Sequence, residues 1–266
     1  MRRNVRLART IFKPVLGKVR FQKIFEVLYG LSLIGMNYGT GDDSNYSGEV
    51  YFLNYFQKNN KTSNPVIFDV GANIGKYTES VLKFVNNPNV FCFEPSKNTY
   101  QILQKNLGQY KNVKLNNFGL GKENKKSILF SSVNASGLAS LYNRQLDYLG
   151  ITMDKKEEVE IRKLDDYCDQ ESIQYIDLLK LDVEGNELDV LYGANRMLNK
   201  TSIGFIQFEF GGCNIDSRTY FRDFFYLLKP NFNIYRILQD GIYPINKYSE
   251  MNEIFVTTNF LARKKL

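Results

Sequence analysis

The residues of this sequence best placed to do chemistry are acids at the ends of short apolar runs. Ile176-Asp177-Leu178-Leu179-Lys180-Leu181-Asp182-Val183-Glu184-Gly185-Asn186-Glu187 reads as a buried strand that ends in three acids within six residues. Side chains alternate along an extended chain, so Asp182 and Glu184 are expected on one side of it. Like charges this close raise at least one carboxyl pKa, which improves a carboxylate as a base near neutral pH. Glu209, within Gln207-Phe208-Glu209-Phe210-Gly211-Gly212, ends the next apolar run. Three carboxylates from two neighbouring strands suit proton abstraction, and they also suit a divalent cation held through oxygen ligands. The sequence leaves bare acids and a metal both open. Glu187 falls in the first turn of the following helix, where negative charge favours the helix dipole, so a structural role and a functional one stand level. The chain has no His, which excludes a His base, a Ser-His-Asp triad and every His-ligated metal.

A second constellation lies upstream. Phe68-Asp69-Val70-Gly71-Ala72-Asn73-Ile74-Gly75 reads as a strand followed by a glycine turn. Gly71 allows a tight turn and close approach to a ligand, and Gly75 lets the helix start pack near the strand. A dinucleotide turn needs a middle glycine against the pyrophosphate, and Asn73 stands there; the phosphate-loop pattern G-K-[ST] is absent. Nineteen residues past Gly75 comes Glu94, followed by Pro95. A carboxylate there can accept two hydrogen bonds from a ribose diol, or it can cap the next helix. Turn plus acid, without the pyrophosphate glycine, favours S-adenosylmethionine, with Ala72 and Pro95 part of the lining. After the third strand, Asn117 and Phe118 offer an amide and a ring where an adenine would sit, or simply form a polar turn.

The elements that must position these residues alternate. Strands are expected at Val66–Val70, Asn89–Phe93, Val113–Phe118, Ile176–Leu181 and Ile203–Phe208. Helices are expected over Ile74–Val85, Lys97–Leu107 and Asn186–Leu198. That rhythm predicts an α/β fold with a parallel sheet and helices on both faces. Lys126–Ser131 and Glu157–Lys163 read as two further strands around the polar loop Ser132–Lys156. Asp216–Lys229 is expected as a helix with an aromatic core stripe, and Asn233–Ile237 and Ile254–Leu261 as two last strands flanking a turn region around Gly241 and Pro244.

The net charge is +7, and eight of the 35 Lys and Arg lie in residues 1–23, a stretch with no Asp or Glu. The remainder is near neutral, which argues against a nucleic-acid enzyme. Residues 1–36 read as one or two basic amphipathic helices, split near Pro14–Gly17. They are suited either to an anionic membrane surface or partner, or to packing on the domain with a solvated basic face. They match neither a signal peptide nor a membrane span. Three unpaired cysteines fit a reducing compartment, so the expected location is cytoplasmic, with peripheral placement at the inner membrane face left open. The chain divides into a basic helical extension, residues 1–62, and a catalytic domain, residues 63–266.

With these residues assembled, the chain resembles the FkbM family of S-adenosylmethionine-dependent methyltransferases. The resemblance runs from about Val66 to Phe210. It is carried by FDVGANIGKYT, FEPSKNTYQILQKNL, Leu164–Asp166 and above all LLKLDVEGNELDVLYGA. It implies a Rossmann-like class I methyltransferase fold with a seven-stranded sheet whose last strand is antiparallel. It also implies cofactor contacts at Asp69, Gly71, Asn73, Glu94 and around Asn117, and methyl transfer to a hydroxyl of a sugar, glycan or polyketide-type acceptor. The expected proton acceptors are Glu184, Asp182 and Glu209, in that order, and Asp182 also borders the cofactor. Two rival readings remain. One is a glycosyltransferase using Asp182-Val183-Glu184 as a metal site for a nucleotide sugar, and the other is a non-catalytic scaffold that kept the cofactor site.

Overall fold

A computed structural model of the chain describes residues 13–39, 44–132 and 137–265. A 3-10 turn at Val19–Phe21 leads into helix α1 (Gln22–Gly35), and α2 (Glu49–Asn59) follows. Then come β1 (Val66–Val70), α3 (Lys76–Phe84), β2 (Asn89–Phe93), α4 (Lys97–Leu107) and β3 (Val113–Asn116). Three short strands follow: β4 (Gly119–Gly121), β5 (Lys125–Ser131) and β6 (Lys155–Lys163). The alternation resumes with α5 (Leu164–Gln170), β7 (Ile176–Leu181), α6 (Glu187–Gly193), α7 (Asn195–Asn199) and β8 (Ile203–Phe210). The chain ends with α8 (Cys213–Ser217), α9 (Phe221–Leu228), β9 (Phe232–Ile237), β10 (Ile242–Ile245) and β11 (Thr258–Lys264).

The main sheet runs β10-β9-β11-β8-β7-β1-β2-β3. Five neighbouring strands, β3, β2, β1, β7 and β8, are parallel, and β11 runs antiparallel beside β8. Seven of these strands are those expected of a class I methyltransferase sheet. The eighth, β10, pairs antiparallel with β9 at the edge, in the region read from sequence as a turn because of Gly241 and Pro244. Pro244 is tolerated because an edge strand has one side that need not donate to a ladder.

Every residue of β7 is buried, as a strand covered on both faces must be. Alternation sends Phe68, Val70, Leu179 and Leu181 to one core layer, and Ile67 and Leu178 to the other. Helix α2 buries Phe52, Leu53 and Phe56 in that second layer, each worth about 1.5–3 kcal/mol of apolar burial. Residues 49–59 therefore share the core of the domain that follows them. A smaller sheet, β4-β6-β5, joins β6 to β4 in parallel and to β5 antiparallel.

Two expected helices are broken. Asn186–Leu198 divides between α6 and α7 at Ala194. Asp216–Lys229 divides between α8 and α9, because Arg218 adopts φ +57° and an αL residue ends a helix. At the N-terminus, within α1 only Lys23 is basic. The basic residues instead precede it. Residues 1–12 lie outside the described residues.

Candidate active site

The site forms at the carboxyl edge of β1, β2 and β7, where an open parallel sheet leaves its binding crevice. Gly71, with φ +79°, carries the turn after β1 so close to the next strand end that a Cβ there would lie 1.8 Å from the Asp182 carbonyl oxygen. The approach is locked by the Asp182 N–H donating to Val70 O at 3.1 Å, and by the Gly71 and Ala72 N–H groups both donating to Phe93 O at 3.0 Å. Asn73 follows at φ +48°. Its N–H donates to Glu94 Oε2 at 3.0 Å, while Ser96 N–H donates to Oε1 at 2.9 Å. Glu94 is thus pinned by two backbone amides, with lone pairs to spare on both oxygens.

Gly71, Asn73, Glu94, Pro95, Asp182 and Glu184 all line one open cleft. Leu120 of β4, Leu129 of β5 and Ile161 of β6 form its opposite wall, so the small sheet closes the cleft over the main one. The cleft suits a nucleoside ligand on three counts. Asn73 Oδ1 is buried without a hydrogen-bond partner, the Gly71 turn admits close approach, and the Glu94 carboxylate is oriented to accept a diol.

Five of the expected cofactor contacts do not line this cleft. Asp69 lies on the other face of β1, fully buried, where its register partner on β7 is Lys180; Lys180 Nζ stands 3.1 Å from Asp69 and the Thr78 hydroxyl donates to it at 2.7 Å. Ala72 is buried behind the turn, and Gly75, with φ +98°, makes room for Leu103 and Leu107 of α4. Phe118 packs among Phe93 and Tyr167 under the Arg162 guanidinium. Asn117 also stands outside the cleft, its amide donating to the Glu94 and Pro95 carbonyls, so it braces the cleft rim.

The three carboxylates expected to act as bases are sharply different. The chain leaves the extended conformation at Glu184, φ +53°, yet Asp182 and Glu184 line the same cleft. Glu184 is ion-paired with Arg144, which also stands 3.5 Å from Asp216. Glu209 is partly buried, and desolvation, together with Asp182, Glu184 and Glu187, pushes its carboxyl up from the ordinary carboxylate range. Asp182 is paired with Lys180 at 3.3 Å and its side chain is 41% exposed. Glu187 is fully buried and ties the loop, accepting the Val183 and Gly185 N–H groups at 2.9 and 3.1 Å; burial raises its carboxyl to about 7. Its role is the structural one.

Several residues at this edge carried no local sequence signal. Burial would lower the Lys180 ammonium, but Asp69, Asp182 and Glu49 together raise it above its ordinary value. It lies 5.0 Å from the Tyr77 ring centroid. Glu49, at the start of α2, accepts from the Gln207 amide at 3.3 Å, and burial lifts its carboxyl to about 7. Gln207 also accepts from Tyr77 at 2.7 Å and donates to Asn259 at 3.2 Å.

Glu184, Glu209 and Cys213 offer ligand atoms within 4.8 Å of one another. The donor set is a poor match for Mg²⁺ or Ca²⁺, which take oxygen shells. It contains a thiol that burial keeps protonated and a carboxylate already held by a guanidinium.

A family model described as the methyltransferase FkbM domain matches residues 69–232. The 2-O-methyltransferase NoeI of Sinorhizobium fredii is 29% identical over 155 residues, a match covering 54% of this chain and 63% of that protein. Methyltransferase sdnD of Sordaria araneosa is 30% identical over 173 residues, covering 55% of this chain and 67% of that protein. The chain thus spans less than two thirds of the length of NoeI. Among solved structures, a precorrin-6y C5,15-methyltransferase of Geobacter metallireducens superposes with a TM-score of 0.43 at 10% identity, covering 81% of this chain and 87% of that one.

Proposed function

The chain belongs to the FkbM family of S-adenosylmethionine-dependent methyltransferases, and from that premise we propose that it methylates a hydroxyl of a sugar, glycan or polyketide-type acceptor. The acceptor class draws support from NoeI, named as a 2-O-methyltransferase. The observation that carries the cofactor site is Glu94: a buried carboxylate, lifted to about 7 by burial and held by the Ser96 and Asn73 amides, facing a cleft beside a glycine turn. When bound there, S-adenosylmethionine supplies an electrophilic methyl group. The chain's own residues do the rest. Glu94 accepts the ribose diol, the Gly71 turn keeps the backbone out of the ligand's volume, and β4, β5 and β6 shield the cleft from water.

Asp182 is the proton acceptor in this reading. It lines the cleft with its side chain 41% exposed, whereas Glu184 is tied to Arg144 and Glu209 is not among the residues that line the cleft. Glu184 orients the loop that carries Arg144. Asp182 and Glu184 are each paired with a side-chain cation, Lys180 and Arg144. Titration calorimetry with S-adenosylmethionine tests the site: Glu94→Ala should weaken binding at least tenfold, the scale of losing charge-assisted hydrogen bonds. Unchanged affinity would place the cofactor elsewhere.

A further inference from the structure

Helix α1 buries only Leu33 among its 14 residues. Ile24, Val27, Leu28, Leu31 and Ile34 are all 50–67% exposed. At 100° per residue these five fall within one arc of about 120°, the width of a face that a helix normally buries. Exposed apolar stripes of this kind mark an interaction surface. The sequence directly ahead of the stripe holds Lys13, Lys18, Arg20 and Lys23, and residues 1–23 as a whole carry eight basic residues and no acid.

We propose that α1 and the basic stretch before it dock this protein on an anionic lipid bilayer, with the helix lying in the plane of the interface. Charge decides between the candidate occupants. A second copy of the chain would bring a matching block of eight cations against the first, whereas an anionic leaflet attracts every one of them. Length agrees, since four turns with so few seam positions fall short of the three to four heptads that sustain a coiled coil, and no helix among the described residues is long and apolar enough to cross a membrane. The anchor joins the domain beside the active edge. Gly39 N–H donates to Thr257 O at 2.8 Å, and the Thr258 hydroxyl donates to Asn37 O at 2.7 Å. Thr258 is the register partner of Phe210, one residue past Glu209. Docking through α1 therefore holds the acid-bearing edge of the sheet close to the lipid surface.

Flotation of the full chain with vesicles tests this, using phosphatidylcholine alone and phosphatidylcholine with phosphatidylglycerol. The protein should float with the anionic vesicles and lose most of that binding at high salt. Ile24→Glu/Leu31→Glu should reduce binding at least tenfold, and Lys18→Ala/Arg20→Ala/Lys23→Ala by roughly 100-fold, at about fivefold for each charge. These side chains are exposed, so both variants should keep the wild-type melting temperature. S-adenosylmethionine affinity by calorimetry should also be unchanged, which separates failure of this proposal from failure of the cofactor site. Equal partitioning of wild type and variants, or no flotation with either vesicle, overturns the proposal. So does a dimer by light scattering that Ile24→Glu/Leu31→Glu dissolves while vesicle binding is absent, for then a second copy covers the stripe.

Discussion

Replacing Gly71 by Ala should damage both the fold and the cofactor site by a predictable amount. The new methyl would sit 1.8 Å from the Asp182 carbonyl oxygen, and real Cβ contacts essentially never fall under 3.0 Å, so one strand end must retreat by about an ångström or more. The obstacle is backbone, and no rotamer change relieves it. A residue with a Cβ at φ +79° also pays about 1–2 kcal/mol for the left-handed conformation. If the retreat breaks the bond from Asp182 N–H to Val70 O, about 0.5–1.5 kcal/mol more is lost. The total is roughly 1.5–3.5 kcal/mol, which in a domain of this size lowers the melting temperature by about 3–14 °C. If the same strain must be overcome to recover the binding geometry, the Kd for S-adenosylmethionine rises roughly 10- to 400-fold. Gly241→Ala is the control, since its Cβ would meet open space; it should change stability by less than about 0.5 kcal/mol. Differential scanning fluorimetry and calorimetry on both variants give the answer. A Gly71→Ala protein with wild-type melting and affinity would refute the close approach on which the site is built.

Two further predictions concern buried charge. Burial raises the carboxyls of Glu49, Glu94 and Glu187 from the ordinary 4.5 to about 7. The folded state therefore binds more protons than the unfolded chain between those values, and stability should fall as pH rises from about 4.5 to about 7, then level off. Thermal melts from pH 5 to pH 8 should show that decline, with a shallower slope in Glu94→Gln; a rising melting temperature over the window would contradict it. Lys180→Met should cost about 3–5 kcal/mol in urea unfolding, because it strands the fully buried Asp69. Adding Asp69→Asn should recover part of the loss, and a single variant as stable as wild type would show that the pair does not hold β1 to β7.

Much of this architecture was legible in the sequence. The runs FDVGANIG, FCFEP and LLKLDVEG declared strands and their turns, because parallel strands buried on both faces must be continuous apolar runs and their ligand turns need glycine. What stayed hidden was long-range pairing. Arg144 lies in a stretch readable only as a polar loop, and its partner Glu184 stands 40 residues away. The pairing of Lys180 with Asp69 depends on the register between β1 and β7, which no local pattern encodes. Glu49 belongs to a helix whose apolar face indicates burial but not against what. Side-chain alternation puts Asp182 and Glu184 on one side, and both line the cleft, but the left-handed turn at Glu184 leaves no reliable mark in sequence. The same limit applies to Arg218, which divides α8 from α9.

In the proposed reaction, the cleft between Glu94 and Asp182 delivers a methyl group to a hydroxyl, with Asp182 taking the proton. The most direct test supplies methyl-labelled S-adenosylmethionine and a panel of sugar, glycan and polyketide-type acceptors, and identifies the labelled bond. The label is expected in a base-stable methyl ether, formed about 10²- to 10⁴-fold more slowly by Asp182→Asn, the range of a lost general base. Label on nitrogen or in a base-labile ester, or a full rate of ether formation by Asp182→Asn, would contradict the account.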